Sequence, residues 1–200
     1  MIRFWGAPAS SSGRTHWMLE EVGIPYEYHR VNTRDRTAYT PEFLAASPGG
    51  KVPAIDDGGF RLTESIAINF YLAEKYKPEL MGSGLHERAL IQQWSLWAIT
   101  NLQPELMTVM RHSSLLPESE RNPDVLAEAM LAAEPLVALL DRSFGDGEFL
   151  VGGRFSVADV NVGSVVYIAK FFGLVGDGRP AAKAWLERLR ERPAFQRARA

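Results

Sequence analysis

The chain has no cysteine, and that absence removes disulfides, Cys-ligated metal sites, thiol nucleophiles and CxxC redox chemistry together. Any sulfur chemistry here must use a thiol that a ligand brings. It also lacks an excess of either charge: 22 Lys+Arg stand against 24 Asp+Glu, a net charge of −2. With no run of five like charges, there is no electrostatic footprint for a nucleic-acid backbone or an anionic membrane surface. Small molecules or other proteins are the expected partners, with no nucleic acid and no membrane. Long apolar runs are missing as well. The longest charge-free stretch, Ala89 to Pro104, carries Gln, Ser, Thr and Asn and ends in Pro. No spanning or export segment is therefore expected, and a cytoplasmic location follows by default. What is present is an ordinary globular composition, 46% hydrophobic over 200 residues, enough for one large domain or two small ones.

The first 76 residues alternate short β-type runs with helical patterns. Ile2 to Trp5 reads as a strand that enters a helix through the turn Gly6-Ala7-Pro8-Ala9, and the helix runs from Ser11 or Ser12 to Val22, stopped by Gly23 and Pro25. Tyr26 to Val31 alternates like a second strand, and Pro41 to Ala46 is a short helix. Val52 to Ile55, the turn Asp56-Asp57-Gly58-Gly59 and Phe60 to Leu62 form a hairpin, followed by a helix from Glu64 to Tyr76. The order is β-α-β-α-β-β-α. Pro, Gly and Ser between Lys77 and Gly84 mark a boundary, so the expected domains are residues 1–77 and 85–200. Beyond it the patterns are helical: Leu85 to His112 with Leu90, Trp94, Trp97 and Leu102 near one face, Asp124 to Phe144, Ser156 to Phe172, and Pro180 to Arg190. Val160 to Ala169 is charge-free all round and should be the central buried helix, opened by a capping box at Ser156 and Asp159.

Several familiar motifs fail. Gly50-Lys51 is followed by Val52 and has no glycine five residues earlier, so it is not a phosphate-binding loop. His86-Glu87 begins like a zinc-protease helix, but the second ligand position holds Leu90. No dinucleotide fingerprint and no Gly-x-Ser-x-Gly elbow occurs, so neither a metal nor a nucleotide cofactor is expected.

Three segments remain that could carry chemistry. Pro8-Ala9-Ser10-Ser11-Ser12-Gly13-Arg14 places hydroxyls at a strand-to-helix turn, near the positive helix end, where one can donate to an anion or simply cap the helix. Gly49 to Ile55 sets a proline at the start of a strand. Thr63-Glu64-Ser65 opens a helix whose free N–H groups favour a negative group, or again a plain cap.

In order and spacing, these segments resemble the glutathione S-transferase superfamily over essentially the whole chain. Pro8-Ala9-Ser10 with Arg14 resembles the serine-type theta and phi classes. Ser47-Pro48-Gly49-Gly50-Lys51-Val52-Pro53-Ala54-Ile55 resembles the family's lysine, valine and cis-proline segment, and Leu62-Thr63-Glu64-Ser65 its glutamate-serine helix start. Arg192-Pro193-Ala194-Phe195 resembles its usual chain end.

The resemblance implies an α/β thioredoxin-like N-terminal domain, an all-α C-terminal domain, a homodimer, and a transferase that takes glutathione as co-substrate. It implies that Val52 pairs with the cysteinyl backbone, Glu64 takes the ammonium, Ser65 and its helix end hold the γ-glutamyl carboxylate, and Lys51 meets the glycyl carboxylate. The thiolate falls to Ser10, with Ser11 or Ser12 as alternatives in a run of three. The electrophile, small and hydrophobic, falls between the turn at Trp5 to Ala9 and Met107, Met110 and Arg111. A glutathione-dependent isomerase or dehalogenase of the zeta type, and a binding protein without catalysis, share the same layout. One departure is local: where related sequences often place His, Gln or Lys, about a dozen residues before Lys51, this chain has Thr37, Ala38 and Tyr39.

Overall fold

The computed structural model describes residues 1–8, 10–145 and 147–200, with the backbone alone at residue 38. Ala9 of the serine motif lies outside the described residues. The first strand, β1 (Ile2–Gly6), leads into α1 (Ser12–Val22), β2 (Tyr26–Arg30), α2 (Pro41–Ala46), β3 (Ala54–Asp57), β4 (Phe60–Thr63) and α3 (Ser65–Tyr76). The sheet order is β2-β1-β3-β4, with β1 parallel to β2, β1 antiparallel to β3, and β3 antiparallel to β4. This is the expected thioredoxin-like topology. Side chains alternate across β1, so Phe4 meets His16 of α1 on one face while Trp5 joins Val31, Phe43, Ala46 and Ala54 on the other.

The first strand of the hairpin sits two residues later than the expected Val52 to Ile55, while the second starts at Phe60 as expected, because the turn is only Gly58-Gly59, with φ of 62° and 97°. Both values suit glycine and a tight two-residue connection. Asp56 reads as a turn residue yet lies in the strand, 3% exposed. Its carboxylate accepts from Gly59 N at 2.8 Å, Arg3 Nη2 at 2.8 Å and Arg61 Nε at 3.1 Å. Those partners, the Gly59 amide foremost, hold it below the usual carboxylate range.

The chain divides into two compact units, residues 1–83 with 190–200, and residues 84–189. The final segment thus packs with the first unit, where the sequence placed it in the helical one. Arg192 Nε and Nη2 donate to the two oxygens of Glu21 at 2.7 and 2.8 Å. Phe195 on α9 (Pro193–Arg197) stands edge-on to Trp17, with ring centroids 4.9 Å apart. Arg197 Nε reaches Glu20 Oε2 at 2.5 Å. These partners lie 171 and 177 residues apart, beyond any local pattern.

The second unit holds α4 (Leu85–Trp97), α5 (Gln103–Met110), α6 (Pro123–Ser143), α7 (Val157–Phe171) and most of α8 (Pro180–Glu191). The expected single helix from Leu85 to His112 is split by a π-helical turn at Ala98–Leu102. Pro104 has no N–H to donate to the preceding turn, which accounts for the break. The buried face of α4 is Ile91 and Ser95, continued by Ala98 and Leu102 of the π turn, whereas Leu90 is 43% exposed. Small side chains win that face because α7 crosses there, where Asn161 Nδ2 donates to Ser95 Oγ at 3.0 Å.

α7 is buried along most of its length. Its Asp159 gathers the donors around it: Leu150 N at 3.1 Å and Trp185 Nε1 at 2.8 Å on one oxygen, Ser156 N at 2.8 Å and Ser156 Oγ at 3.1 Å on the other. Burial pushes this carboxyl up while the donors pull it down. Asp159→Ala leaves three N–H groups without an acceptor, at about 1–3 kcal/mol each. Urea unfolding should show a loss of about 3 kcal/mol or more.

Candidate active site

The site begins where β1 ends. Ser10 Oγ donates to Ala7 O at 2.7 Å and accepts from Ser12 N at 3.1 Å, so Ser10 caps the first turn of α1. Buried Ser12 accepts from Ala7 N at 3.2 Å and shares a 2.9 Å hydrogen bond with Ser10. Ser11, between them, makes no side-chain capping bond, and its hydroxyl has only a long 3.4 Å contact to Val52 O. Gly6 permits this packing: a Cβ there would stand 2.9 Å from the Phe4 ring and 3.1 Å from Ser12 Cβ. In the same turn Arg14 is buried, and desolvation lowers its pKa to about 10, so it stays cationic at neutral pH beside the helix end.

Ser11 lines a cleft of about 290 Å³ together with Ser47, Lys51, Val52, Pro53, Thr63, Glu64 and Ser65. Ser10 is not among the lining residues; its hydroxyl belongs to the cap. The Val52–Pro53 bond is cis. Among the described residues, the Val52 N–H has no partner within the chain. Ser47 was not singled out from sequence as a site residue. Its Oγ donates to Lys51 O at 2.7 Å and accepts from Lys51 N at 3.0 Å, closing the Pro48-Gly49-Gly50 turn that presents Lys51. A hydroxyl four residues before the lysine, with Pro-Gly-Gly between, was the available signal. Tyr39 is no cleft residue: it packs edge-on against Phe43 at 4.9 Å.

Glu64 has φ 68° and ψ 110°, the one positive φ at a non-glycine residue among those described. Such a conformation costs about 1–3 kcal/mol and persists where the surroundings impose it. Its side chain makes no capping bond, so the first-turn N–H groups of α3, with buried Ser65 at their head, are left to another acceptor. The cleft thus offers an exposed carboxylate, a helix N-terminus, an ammonium group on Lys51 and a hydroxyl on Ser11. That set suits a zwitterionic peptide with free carboxylates.

Met107 and Met110 lie on α5 in the helical unit, with Arg111 just after it. Leu106 and Val109 form the buried face of α5, and Met107 is 38% exposed, so the two methionines are not plain core. Among the described residues, no group of His, Asp and Glu is placed to hold a metal ion, and no helix is long and apolar enough to cross a membrane.

Ser10→Ala should destabilise the protein by about 1 kcal/mol by removing the cap, while Ser11→Ala should stay within about 0.5 kcal/mol of the parent in the same denaturation experiment. Glu64→Gly frees the strained backbone, so its melting temperature should equal or exceed the parent's while calorimetry shows weaker peptide binding.

Comparison with known proteins bears directly on this cleft. Residues 1–74 match the glutathione S-transferase N-terminal domain family, and residues 102–193 match the C-terminal domain family. Rat glutathione S-transferase theta-1 is 33% identical over 178 residues, covering 83% of this chain and 72% of that protein. Glutathione S-transferase GstB of Escherichia coli K12 is 29% identical, covering 98% of this chain and 97% of that one. The theta class glutathione S-transferase of Xanthomonas axonopodis pv. citri, solved with glutathione bound, superposes with a TM-score of 0.87 at 34% identity, covering 98% of this chain and 96% of that one. The chain belongs to the glutathione S-transferase family.

Proposed function

We propose that this protein is a glutathione transferase that conjugates glutathione to a small hydrophobic electrophile, with Ser11 as the group that stabilises the thiolate. The observation that carries the reading is the convergence of Ser11, Lys51, Val52, Glu64 and Ser65 on one cleft. Glutathione lies extended in it. The Val52 N–H and C=O pair with the cysteinyl backbone as an added strand would. Glu64 takes the α-ammonium, Ser65 and the α3 N-terminus hold the γ-glutamyl carboxylate, and Lys51 meets the glycyl carboxylate. The sulfur then faces the start of α1.

At α1 the Ser11 hydroxyl donates to the thiolate and does not itself attack. Lowering a thiol pKa from roughly 8.5 by about two units takes about 2.7 kcal/mol. A hydrogen bond to a charged acceptor contributes about 1.5–3 kcal/mol and a helix N-terminus about 0.3–1. Buried, cationic Arg14 adds potential of the same sign. The thiolate attacks the electrophilic carbon, forming the C–S bond as the leaving group departs with its electron pair. Met107, Met110 and Arg111 are assigned to the electrophile in this proposal, and a homodimer acting in the cytoplasm on toxic electrophiles belongs to it by family resemblance.

Titrating the ultraviolet thiolate signal of bound glutathione against pH tests the assignment. Ser11→Ala should raise the apparent thiol pKa by about one unit or more, whereas Ser10→Ala should leave it near the parent value. An unchanged pKa in Ser11→Ala, with a shift in Ser10→Ala, returns the role to the capping serine.

A further inference from the structure

A second cavity, of about 630 Å³, lies wholly within the first unit and is formed by Ala7, Pro8 and residues 30–34. Its position follows from the sheet. β1 and β2 are parallel, so their C-terminal ends open at the same edge, while β3 flanks β1 on its other side. The glutathione cleft occupies the β3 side of the serine turn and this cavity the β2 side, with no residue lining both. The shared wall is short and fixed. Ala7 is held by Ser12 through its N–H and by Ser10 through its carbonyl, and Ser11 follows in the same turn. A molecule seated here therefore borders the place where the sulfur is presented.

Its chemistry is unlike that of the chain as a whole. Ala7, Pro8 and Val31 give it an apolar side, and Arg30 and Arg34 give it two guanidinium groups. Among the described residues neither guanidinium has a hydrogen-bond or ion-pair partner. Residues 30–36 contain three arginines and one aspartate, 3 − 1 = +2, in a protein of net charge −2. That aspartate is already engaged, since Asp35 Oδ1 accepts from Thr37 Oγ1 at 2.6 Å and Thr37 N at 3.0 Å. Asn32 Oδ1 accepts from Arg34 N at 3.1 Å and shapes the turn that carries the second arginine. Unneutralised guanidiniums beside an apolar wall fit a carboxylate attached to a hydrophobic body.

We propose that this cavity takes the anionic end of the second substrate, so that the enzyme prefers electrophiles bearing a carboxylate over their neutral counterparts. The inference rests on the transferase reading above and names its acceptor class. The carboxylate stays out of the reaction: the thiolate displaces the leaving group elsewhere on the molecule, and Arg30 and Arg34 act as specificity residues.

A matched pair of acceptors tests it: 4-chloro-3,5-dinitrobenzoate and its methyl ester, each releasing chloride as the thioether forms. With rates taken relative to the uncatalysed reactions, the parent should show kcat/KM about tenfold higher for the acid, by analogy with other charge-assisted pairs. Added salt should shrink that preference. Arg30→Gln with Arg34→Gln should abolish it through KM for the acid, leaving ester turnover and glutathione affinity at parent levels. Equal turnover of acid and ester by the parent, or a preference that survives in the double variant, overturns the anion subsite while the transferase reading stands. No conjugation of either compound and no glutathione binding by calorimetry overturns both.

Discussion

The pair of hydrogen bonds that tie Ala7 to Ser10 and Ser12 fixes the geometry of everything around the cleft. A strand that ends and a helix that begins each leave backbone groups without partners. Here two hydroxyls satisfy them, and the serine between is left over. Three adjacent residues of one type thus take three places because their positions differ: one caps, one is buried as a brace, and one lines the cleft. The arrangement fixes the backbone from which the Ser11 side chain projects into the cleft.

The rest of the cleft follows the same economy. Ser47 braces the loop of Lys51, and Glu64 is held in a backbone conformation it would not choose alone. In each case structural bonds are made by residues behind the surface, and the groups at the surface keep free valence for a ligand. The helical unit has its own brace in Asp159, where one carboxylate organises α7, the indole of Trp185 and the Leu150 backbone.

Much of this was legible in the amino-acid order because it rests on local rules. The alternation through β1, the turn residues at Gly58-Gly59 and the glutamate-serine helix start are written within short windows. Which of the serines lines the cleft was not legible: Ser10 and Ser11 sit at the same helix end, and the carbonyl of Ala7, three residues before Ser10, takes up the Ser10 hydroxyl. The buried face of α4 is not marked by its largest apolar residues, because α7 packs there and Ser95 meets Asn161. The place of residues 190–200 depends on ion pairs and a ring contact to α1 across nearly the whole chain.

That last attachment sets an order of events during synthesis. The first unit is discontinuous: the chain leaves it at Ser83 and returns at Arg190. Its sheet and helices emerge from the ribosome before residues 84–189, but Trp17 and the two glutamates of α1 wait for the closing segment until those residues have been made. The thioredoxin-like unit therefore begins to form before the helical one and cannot be completed until residues 190–200 have been made.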